Sequence, residues 1–396
     1  MNAWRRLADA LQDDNDHFRV LTGLRGCAAL WVFAYHAWHL GGMPALEWHV
    51  LGVAIDLTPP VALGGAGVTV FFVLSGFLLA LPFARWQAGE RARPAYGPYL
   101  KRRIARVFPA YYVQLALLLL LAPLGTGLAE MPDAGRLWRH ALMLFVPPPL
   151  GTQPINGVWW TLPIEFSFYL LLPFLAWLLP ARRWWWLLVG SLLCMWLWRR
   201  GVVTVFSDQP LPLRVSASYQ LAGSFDMFGL GMLAAVAHAH WTRVPMALRA
   251  WLATPWAAFV GLGALIAASY WLAYNRPSYW ADNPIFYLWT PLLSVGTVIL
   301  VLAGLHGNRM IERLFANGAV VFSGVVSYSV YLWHLPVLHW LGAQPWLPAG
   351  GNWRFVALSL AAVPLTFFVS ALSYALVERP AMRWAHGDLV KSRSLK

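Results

Sequence analysis

Apolar runs long enough to cross a lipid bilayer recur along the whole sequence. A transmembrane helix needs about 20 predominantly apolar residues to span roughly 30 Å of hydrocarbon. Apolar residues occupy 59% of the 396 positions and charged residues 11%, whereas soluble domains carry roughly 25% charged residues. The sequence therefore predicts an all-α fold, a polytopic transmembrane helical bundle of about ten spans. The predicted spans lie near residues 24–40, 65–82, 104–122, 158–179, 184–198, 221–239, 251–272, 286–305, 319–340 and 354–377.

The distribution of Lys and Arg predicts which side of the membrane each loop occupies. With the N-terminus inside, 22 of the 29 Lys and Arg residues fall on the cytoplasmic side, while Arg199 and Arg200 are among those assigned to outer loops. The positive-inside rule then places both termini in the cytoplasm. We divide the chain into a cytoplasmic N-terminal segment (1–23), a transmembrane domain (24–380) and a basic cytoplasmic tail (381–396).

The net charge of +13 does not indicate a nucleic-acid partner. The Lys and Arg residues stand in short clusters between apolar runs, where they act as topology signals and contact membrane lipids. Cys27 and Cys194 both lie within apolar runs, so the sequence supports neither a disulfide framework nor a metal site built on cysteines. The sequence shows no soluble catalytic domain, so we expect any chemistry to lie within the helical bundle.

Ionisable residues inside apolar helices are the candidates for that chemistry, because burying a charge at membrane depth is costly. Arg25 and His36 stand eleven residues apart in the first predicted helix, which is about three turns or roughly 16 Å along one face. An arginine fork suits a phosphate, and a histidine can take a proton from a hydroxyl. This pairing suits a long phosphorylated donor; the alternative is a snorkelling arginine and a histidine bonded to a nearby carbonyl.

Two further ionisable residues are predicted to lie at the depth of His36, in the outer half of the membrane. Glu165 stands about seven residues into the fourth span and His334 about fifteen residues into the ninth. A carboxylate there could orient the imidazole or receive an acceptor hydroxyl. The alternatives are a Glu165 tied to backbone made irregular by Pro163 and a His334 that only packs. Three such groups on separate helices do not form a metal motif.

A basic run marks the cytoplasmic start of the third span. Arg102, Arg103 and Arg106 can bind a pyrophosphate there or, equally, contact anionic lipid. Ser75 lies mid-span beside a glycine, where close helix packing also explains it. Glu378 ends the last span, and we expect it to pair with a cytoplasmic basic residue.

Six short motifs connect these residues over nearly the whole chain. Each motif is weak alone, but their order and spacing together are specific. They are Gly23–Arg25 followed by His36, Gly67–Phe77, Arg102–Arg106, Trp160–Glu165, Tyr328–His334 and Glu378–Pro380. In these motifs the sequence resembles the acyltransferase-3 family of bacterial membrane O-acyltransferases.

The resemblance implies a ten-helix fold in the bacterial inner membrane. It implies transfer of an acyl group, often acetyl, from cytoplasmic acyl-CoA to a hydroxyl of a glycan or another exported acceptor. It also implies that Arg25 and His36 are the essential pair, that the basic run contacts CoA, and that acyl-CoA is a co-substrate with no permanently bound cofactor. Thr69 replaces an acidic residue of many members. Some members carry an appended periplasmic hydrolase-like domain that this sequence lacks, so we expect the protein to act alone or with a separate periplasmic partner enzyme.

The hypothesis that follows gives the central role to His36, as general base on an acceptor hydroxyl or as brief carrier of the acyl group. Glu165 and His334 complete the predicted catalytic group by positioning His36 or the acceptor. No metal is predicted. The predicted acyl-CoA-binding residues are Arg25, Arg102, Arg103, Arg106 and Ser75, and the acceptor-side candidates are Trp160, Asp226 and Tyr328.

A rival hypothesis is a transporter or flippase, in which the same buried groups form a proton relay or a substrate site. It predicts broken helices in paired halves of the chain, and the sequence shows no such interruption. A third hypothesis, a non-catalytic scaffold, leaves the burial of Arg25, His36 and Glu165 unexplained.

Overall fold

The structure, a computed structural model, describes residues 18–124, 131–145, 151–280 and 282–393. Helices make up 80% of it, which confirms the predicted helical class. Of the predicted terminal segments, residues 1–17 and 394–396 lie outside the described residues.

The helices follow one another through short connections. A 3₁₀ turn (Gly157–Trp160) precedes α6, and a π-helical turn (Tyr374–Glu378) joins α16 to α17. The helices are α1 (Arg19–Leu40), α2 (Thr58–Ala62), α3 (Gly67–Gln87), α4 (Tyr96–Leu121), α5 (Ala134–Ala141), α6 (Thr161–Leu175), α7 (Trp184–Val205), α8 (Leu211–Ser218), α9 (Phe225–Ala239), α10 (Met246–Leu252), α11 (Pro255–Asn275), α12 (Pro284–Leu305), α13 (Arg309–Phe315), α14 (Gly318–Val325), α15 (Ser327–Gly342), α16 (Gly351–Ser373) and α17 (Arg379–Arg393).

A β-hairpin that the sequence did not predict follows α1. Strands β1 (Glu47–Val50) and β2 (Val53–Asp56) pair antiparallel. In the two-residue turn between them, Leu51 and Gly52 have φ angles of +51° and +81°. Such a turn favours Asn-Gly, and a leucine at its first position conceals the hairpin from sequence analysis.

Within the described residues, seven helices are long and apolar enough to cross a membrane, and nine spans result if two broken pairs each count as one. Each of the ten predicted spans overlaps at least one helix. The 22-residue α1, which carries Arg25 and His36, is not among those that pass this test. The chain is therefore a multi-pass membrane protein, while ten spans and two cytoplasmic termini stay predictions.

Two of these candidate spans are interrupted, which the sequence did not indicate. α8 and α9 meet at an angle of 73°, and α14 and α15 are separated at Val326. At the first break the chain folds back on itself closely, because a Cβ on Gly223 would overlap the carbonyl oxygen of Ser218. Only glycine fits such an approach.

The described chain divides into two compact units. The first unit comprises residues 18–32, 47–94 and 171–325, and the second comprises 33–46, 95–170 and 326–393, apart from the positions not described.

In the first unit, α3 and α9 pack backbone against backbone. A Cβ on Gly76 would overlap the carbonyl oxygen of Phe228, and one on Gly231 would overlap that of Val73. Small residues at such a crossing allow the close packing on which association of membrane helices depends. Ser75, next to Gly76, is half-buried beside this crossing.

In the first unit, Arg199 in α7 forms hydrogen bonds with α12 and with the segment before α9. Because α7 continues past residue 198, Arg199 lies inside the helix and is fully buried, and its assignment to an outer loop was wrong. Its guanidinium donates hydrogen bonds to the carbonyl oxygens of Gly223 (2.9 Å) and Phe286 (2.6 Å) and to the hydroxyl of Thr290 (3.0 Å). It also lies within electrostatic range of the fully buried Asp226.

We expect Arg199→Leu to lower the free energy of unfolding by about 3–5 kcal/mol, because it removes three buried hydrogen bonds of a charged group and a positive charge close to the buried Asp226. Arg200→Gln is the matched control, since Arg200 pairs with Asp282 where both side chains are partly exposed and such a pair contributes about 1 kcal/mol or less. Thermal unfolding of the two purified variants measures the difference. Equal losses would contradict the structural role of Arg199.

The second unit packs the end of α1 against α15 and α16. Its core contains Phe33 and Ala37 from α1, Val337 and Leu338 from α15, and Leu358 from α16. This packing fixes the part of α1 that carries His36.

Candidate active site

Two of the predicted catalytic residues, His36 and His334, are in direct contact within the second unit. Nε2 of His334 lies 3.1 Å from Nδ1 of His36, and the ring centroids are 5.0 Å apart. His334 is fully buried and His36 is half-buried. Phe33 and Tyr331 pack near the ring of His334, and Tyr35 packs against that of His36.

The hydrogen bonds determine which nitrogen of each ring carries a proton. Nδ1 of His334 lies 3.0 Å from the carbonyl oxygen of Val330, one turn earlier in α15. A carbonyl can only accept, so this nitrogen is protonated and Nε2 of neutral His334 accepts from the Nδ1–H of His36. Neutral His36 therefore holds its lone pair on Nε2, the nitrogen that can take a proton.

The backbone beside His334 is held by side chains from other elements. Pro336 has no N–H, so the carbonyl oxygen of Leu332, four residues earlier in α15, lacks its helical donor. The side-chain amides of Gln114 and Asn156 donate to that oxygen at 2.7 and 2.8 Å. Both amide side chains are buried. α4 and the segment before α6 thereby fix the turn of α15 that carries His334.

The same network extends to the start of α6. Trp159 donates from Nε1 to the side-chain oxygen of Gln114 at 2.8 Å. The hydroxyl of Tyr331 donates to the carbonyl oxygen of Val158 at 2.8 Å and shares a second hydrogen bond of 3.0 Å with Thr161. α6 is therefore held in register against α15.

We expect Gln114→Leu to destabilise the protein by about 1–3 kcal/mol, because it leaves the buried Nε1–H of Trp159 without an acceptor. Thermal unfolding checks this, with Gln153→Leu at an exposed position as the matched control. A Gln114 variant as stable as the control would show that the network contributes nothing.

Glu165 lies one turn into α6, among tyrosines. It is within hydrogen-bonding reach of Tyr169 and within electrostatic range of Tyr99 and Tyr328. Tyr99 and Tyr169 are in turn close to Arg103. The carboxylate thus belongs to a polar neighbourhood that includes part of the basic run.

The arginines of the basic run have different surroundings. Nη1 of Arg106 lies 3.8 Å from the carboxylate of Glu378 and 3.3 Å from the sulfur of Met382, so the expected pairing of Glu378 with a basic residue is confirmed. Its guanidinium also lies 5.9 Å from the ring centre of Tyr328. In contrast, Nε of Arg103 is buried without a hydrogen-bond partner among the described residues.

The other predicted residues occupy separate positions. Arg25 on α1, Ser75 on α3, Arg102 on α4 and Trp160 before α6 are all half-buried. Asp226 is fully buried in the first unit, within electrostatic range of Arg199. Within the described ranges, no three His, Cys, Asp or Glu side chains are grouped closely enough to hold a metal ion.

A third histidine, His140 in α5, is fully buried near Trp159. Its Nδ1 donates to the carbonyl oxygen of Arg136 at 2.7 Å, and its Nε2 accepts from the N–H of Ile155 at 2.9 Å. The hydroxyl of Tyr111 donates to its backbone carbonyl at 2.6 Å. Burial lowers the pKa of His140 below its usual value, and both ring nitrogens are committed to the neutral form.

We expect His140 to make stability fall as the pH decreases below about 6.5. The unfolded chain then binds a proton at this histidine that the folded protein, with its lowered pKa, does not bind, so the loss approaches about 1.4 kcal/mol per pH unit until the folded pKa is reached. Unfolding of wild type and His140→Gln at pH 7.5 and 5.5 measures this term. The variant should lose less stability on acidification; an identical loss would exclude His140 as the cause.

Gln114, Asn156 and Trp159 were not predicted from the sequence as parts of the site. A signal for Gln114 exists, since it is the one amide side chain in the predicted span 104–122. The position of Pro336 four residues after Leu332 also marks a carbonyl that needs an outside donor. No sequence feature indicates which side chain supplies it.

The fold is that of a multi-pass membrane protein, and comparison with known proteins identifies its family. Residues 18–376 match the acyltransferase-3 family, described as an acyltransferase domain. The chain belongs to this family and is an acyltransferase. No solved structure matches it.

Curated relatives cover most of the chain. Nodulation protein 10 of Rhizobium leguminosarum bv. viciae is 28% identical over 91% of this chain and 92% of its own length. Exopolysaccharide production protein ExoZ of Rhizobium meliloti is 30% identical over 81% of this chain and 90% of its own length. Peptidoglycan O-acetyltransferase OatA of Listeria monocytogenes is 23% identical over 91% of this chain but only 55% of its own length.

Proposed function

We propose that the protein transfers an acyl group, with acetyl as the first choice, from cytoplasmic acyl-CoA to a hydroxyl of a glycan or another exported acceptor in the bacterial inner membrane. The observation that carries this proposal is the His36–His334 pair, which leaves a proton-accepting lone pair on Nε2 of His36. Acyl-CoA is a co-substrate in this scheme.

The proposed reaction uses the pair as a general base. Nε2 of His36 takes the proton of the acceptor hydroxyl as its oxygen attacks the thioester carbonyl. The resulting imidazolium is stabilised by Nε2 of His334, which accepts from its Nδ1–H. The tetrahedral intermediate breaks its C–S bond, and the CoA thiolate takes the proton back from His36. The products are the O-acyl ester and CoA.

A covalent route uses the same atoms. Nε2 of His36 attacks the thioester and expels the thiolate, and the acceptor oxygen then takes the acyl group from the histidine. The hydroxyl proton ends on the thiolate in this route as well.

The family and the chemistry of the side chains support the proposed donor and acceptor sides. We assign phosphate contacts to Arg25, eleven residues or about 16 Å before His36 on α1, and to the basic run. Trp160 and Tyr328 are proposed on the acceptor side. The names of the two relatives concerned with exopolysaccharide and peptidoglycan support a glycan acceptor, and a separate periplasmic enzyme is a proposed partner.

Turnover of radiolabelled acetyl-CoA by purified protein in nanodiscs tests the proposal. We expect His36→Ala to reduce turnover by about 10²–10⁴-fold, because the general base is removed, with CoA binding retained. His39→Ala is the control on the same helix, since His39 is exposed. Equal turnover in wild type and His36→Ala would exclude the role of His36.

The same experiment also distinguishes the two routes and tests the identity of the donor. Acid quenching separates the routes, because only the covalent route leaves label on wild-type protein that His36→Ala lacks. If wild type binds neither CoA nor any acyl-CoA, the donor proposal fails, and the two broken helices then favour a transporter.

A further inference from the structure

The last membrane helix changes its hydrogen-bonding pattern where it approaches the basic run. Tyr374–Glu378 forms a π-helical turn between α16 and α17, and the Glu378 side chain is fully buried. Single π-helical turns inside α-helices are frequent at functional sites. A buried carboxylate needs a compensating charge and hydrogen bonds.

Glu378 has partners on two other helices. One carboxylate oxygen accepts a hydrogen bond from the hydroxyl of Ser329, in the first turn of α15. The other oxygen lies 3.8 Å from the guanidinium of Arg106 in α4. Ser329 is fully buried and the Arg106 side chain is 17% exposed. The carboxylate therefore joins three helices away from bulk water.

The surroundings of Arg106 are unsuited to a mobile phosphate. The fixed carboxylate of Glu378 already balances its charge and would repel an incoming anion. The guanidinium also contacts the sulfur of Met382 and lies near the ring of Tyr328. The hydroxyl of Tyr328 donates to the carbonyl oxygen of Val107 at 2.9 Å. This hydrogen bond joins α15 to α4 next to Arg106.

Arg103, one turn earlier in α4, differs from Arg106 in the hydrogen bonding of its guanidinium. Its Nε is buried and has no hydrogen-bond partner among the described residues. A buried guanidinium donor without an acceptor is suited to a bound anion.

We propose that Arg106 and Glu378 are positioning residues that orient α15 for the histidine pair, and that the phosphate contact assigned above to the basic run belongs to Arg103 rather than to Arg106. Ser329 precedes His334 by five residues, about 7.5 Å along α15. Anchoring Ser329 fixes the rotation of α15 about its axis and hence the direction of the His334 ring toward His36. The second half of the proposal rests on the proposed function.

Four variants test whether Arg106 and Glu378 position α15 while Arg103 contacts phosphate. They are Arg106→Gln, Glu378→Gln, the double variant of these two, and Arg103→Gln. Each single variant of the pair is expected to lower Tm by about 5 °C or more and kcat at least about tenfold, with the Kd of CoA unchanged within about twofold. The double variant should recover much of both losses, since it leaves no uncompensated buried charge. Arg106→Lys, which keeps the charge, should also retain most activity.

Arg103→Gln is expected to behave in the opposite way. It should raise the Kd of CoA at least about tenfold and make CoA binding less dependent on salt concentration. The kcat at saturating acetyl-CoA should change little. If Arg106→Gln instead weakens CoA binding as much as Arg103→Gln does, and Glu378→Gln does not, the proposal is overturned. Additive Tm losses in the double variant would overturn the pairing.

The two hypotheses can fail separately. Absence of CoA binding by wild type would reject the proposed donor and the role of Arg103. The Tm comparison of the single and double variants needs no donor, so it still decides whether Arg106 and Glu378 act as one unit.

Discussion

The carbonyl oxygen of Leu332 is the point on which the geometry of the second unit depends. A backbone oxygen without a donor is costly in the low-dielectric interior of a membrane protein, and Pro336 removes the N–H that would bond to it. Gln114 and Asn156 supply two donors from elsewhere in the chain. Because the proline leaves this oxygen without its helical donor, Gln114 and Asn156 can bind it. Their hydrogen bonds hold the turn of α15 that carries His334.

Two buried carboxylates among the described residues each lie near an arginine, whereas the histidine pair of the candidate site carries no charge in its neutral form. In the first unit Asp226 is within electrostatic range of Arg199, and in the second Glu378 lies 3.8 Å from Arg106. Each pair connects helices that are distant in sequence. A neutral imidazole pair needs no counter-ion, so the site can hold a reactive nitrogen inside the membrane without the desolvation penalty of a permanent charge.

The parts of this arrangement that follow a helical rise were accessible from sequence, and those that depend on distant partners were not. Depths counted from span ends predicted His36 and His334 at similar levels, since the rise per residue of a helix is fixed. Arg199 was wrongly assigned to a loop because spans predicted from hydropathy end at a charged residue, whereas α7 continues to Val205. The oxygens that stabilise Arg199 belong to Gly223, Phe286 and Thr290, and no local pattern reveals them.

The shared hydrogen bond between His36 and His334 also limits how many protons the site can store. Two imidazoles whose nitrogens lie 3.1 Å apart can accommodate one additional proton between them, because a second would place two positive rings in contact. Each reaction cycle must therefore dispose of its proton before another hydroxyl can be activated. In the proposed reaction the departing thiolate takes up this proton, so release of the spent donor is coupled to readiness for the next acceptor.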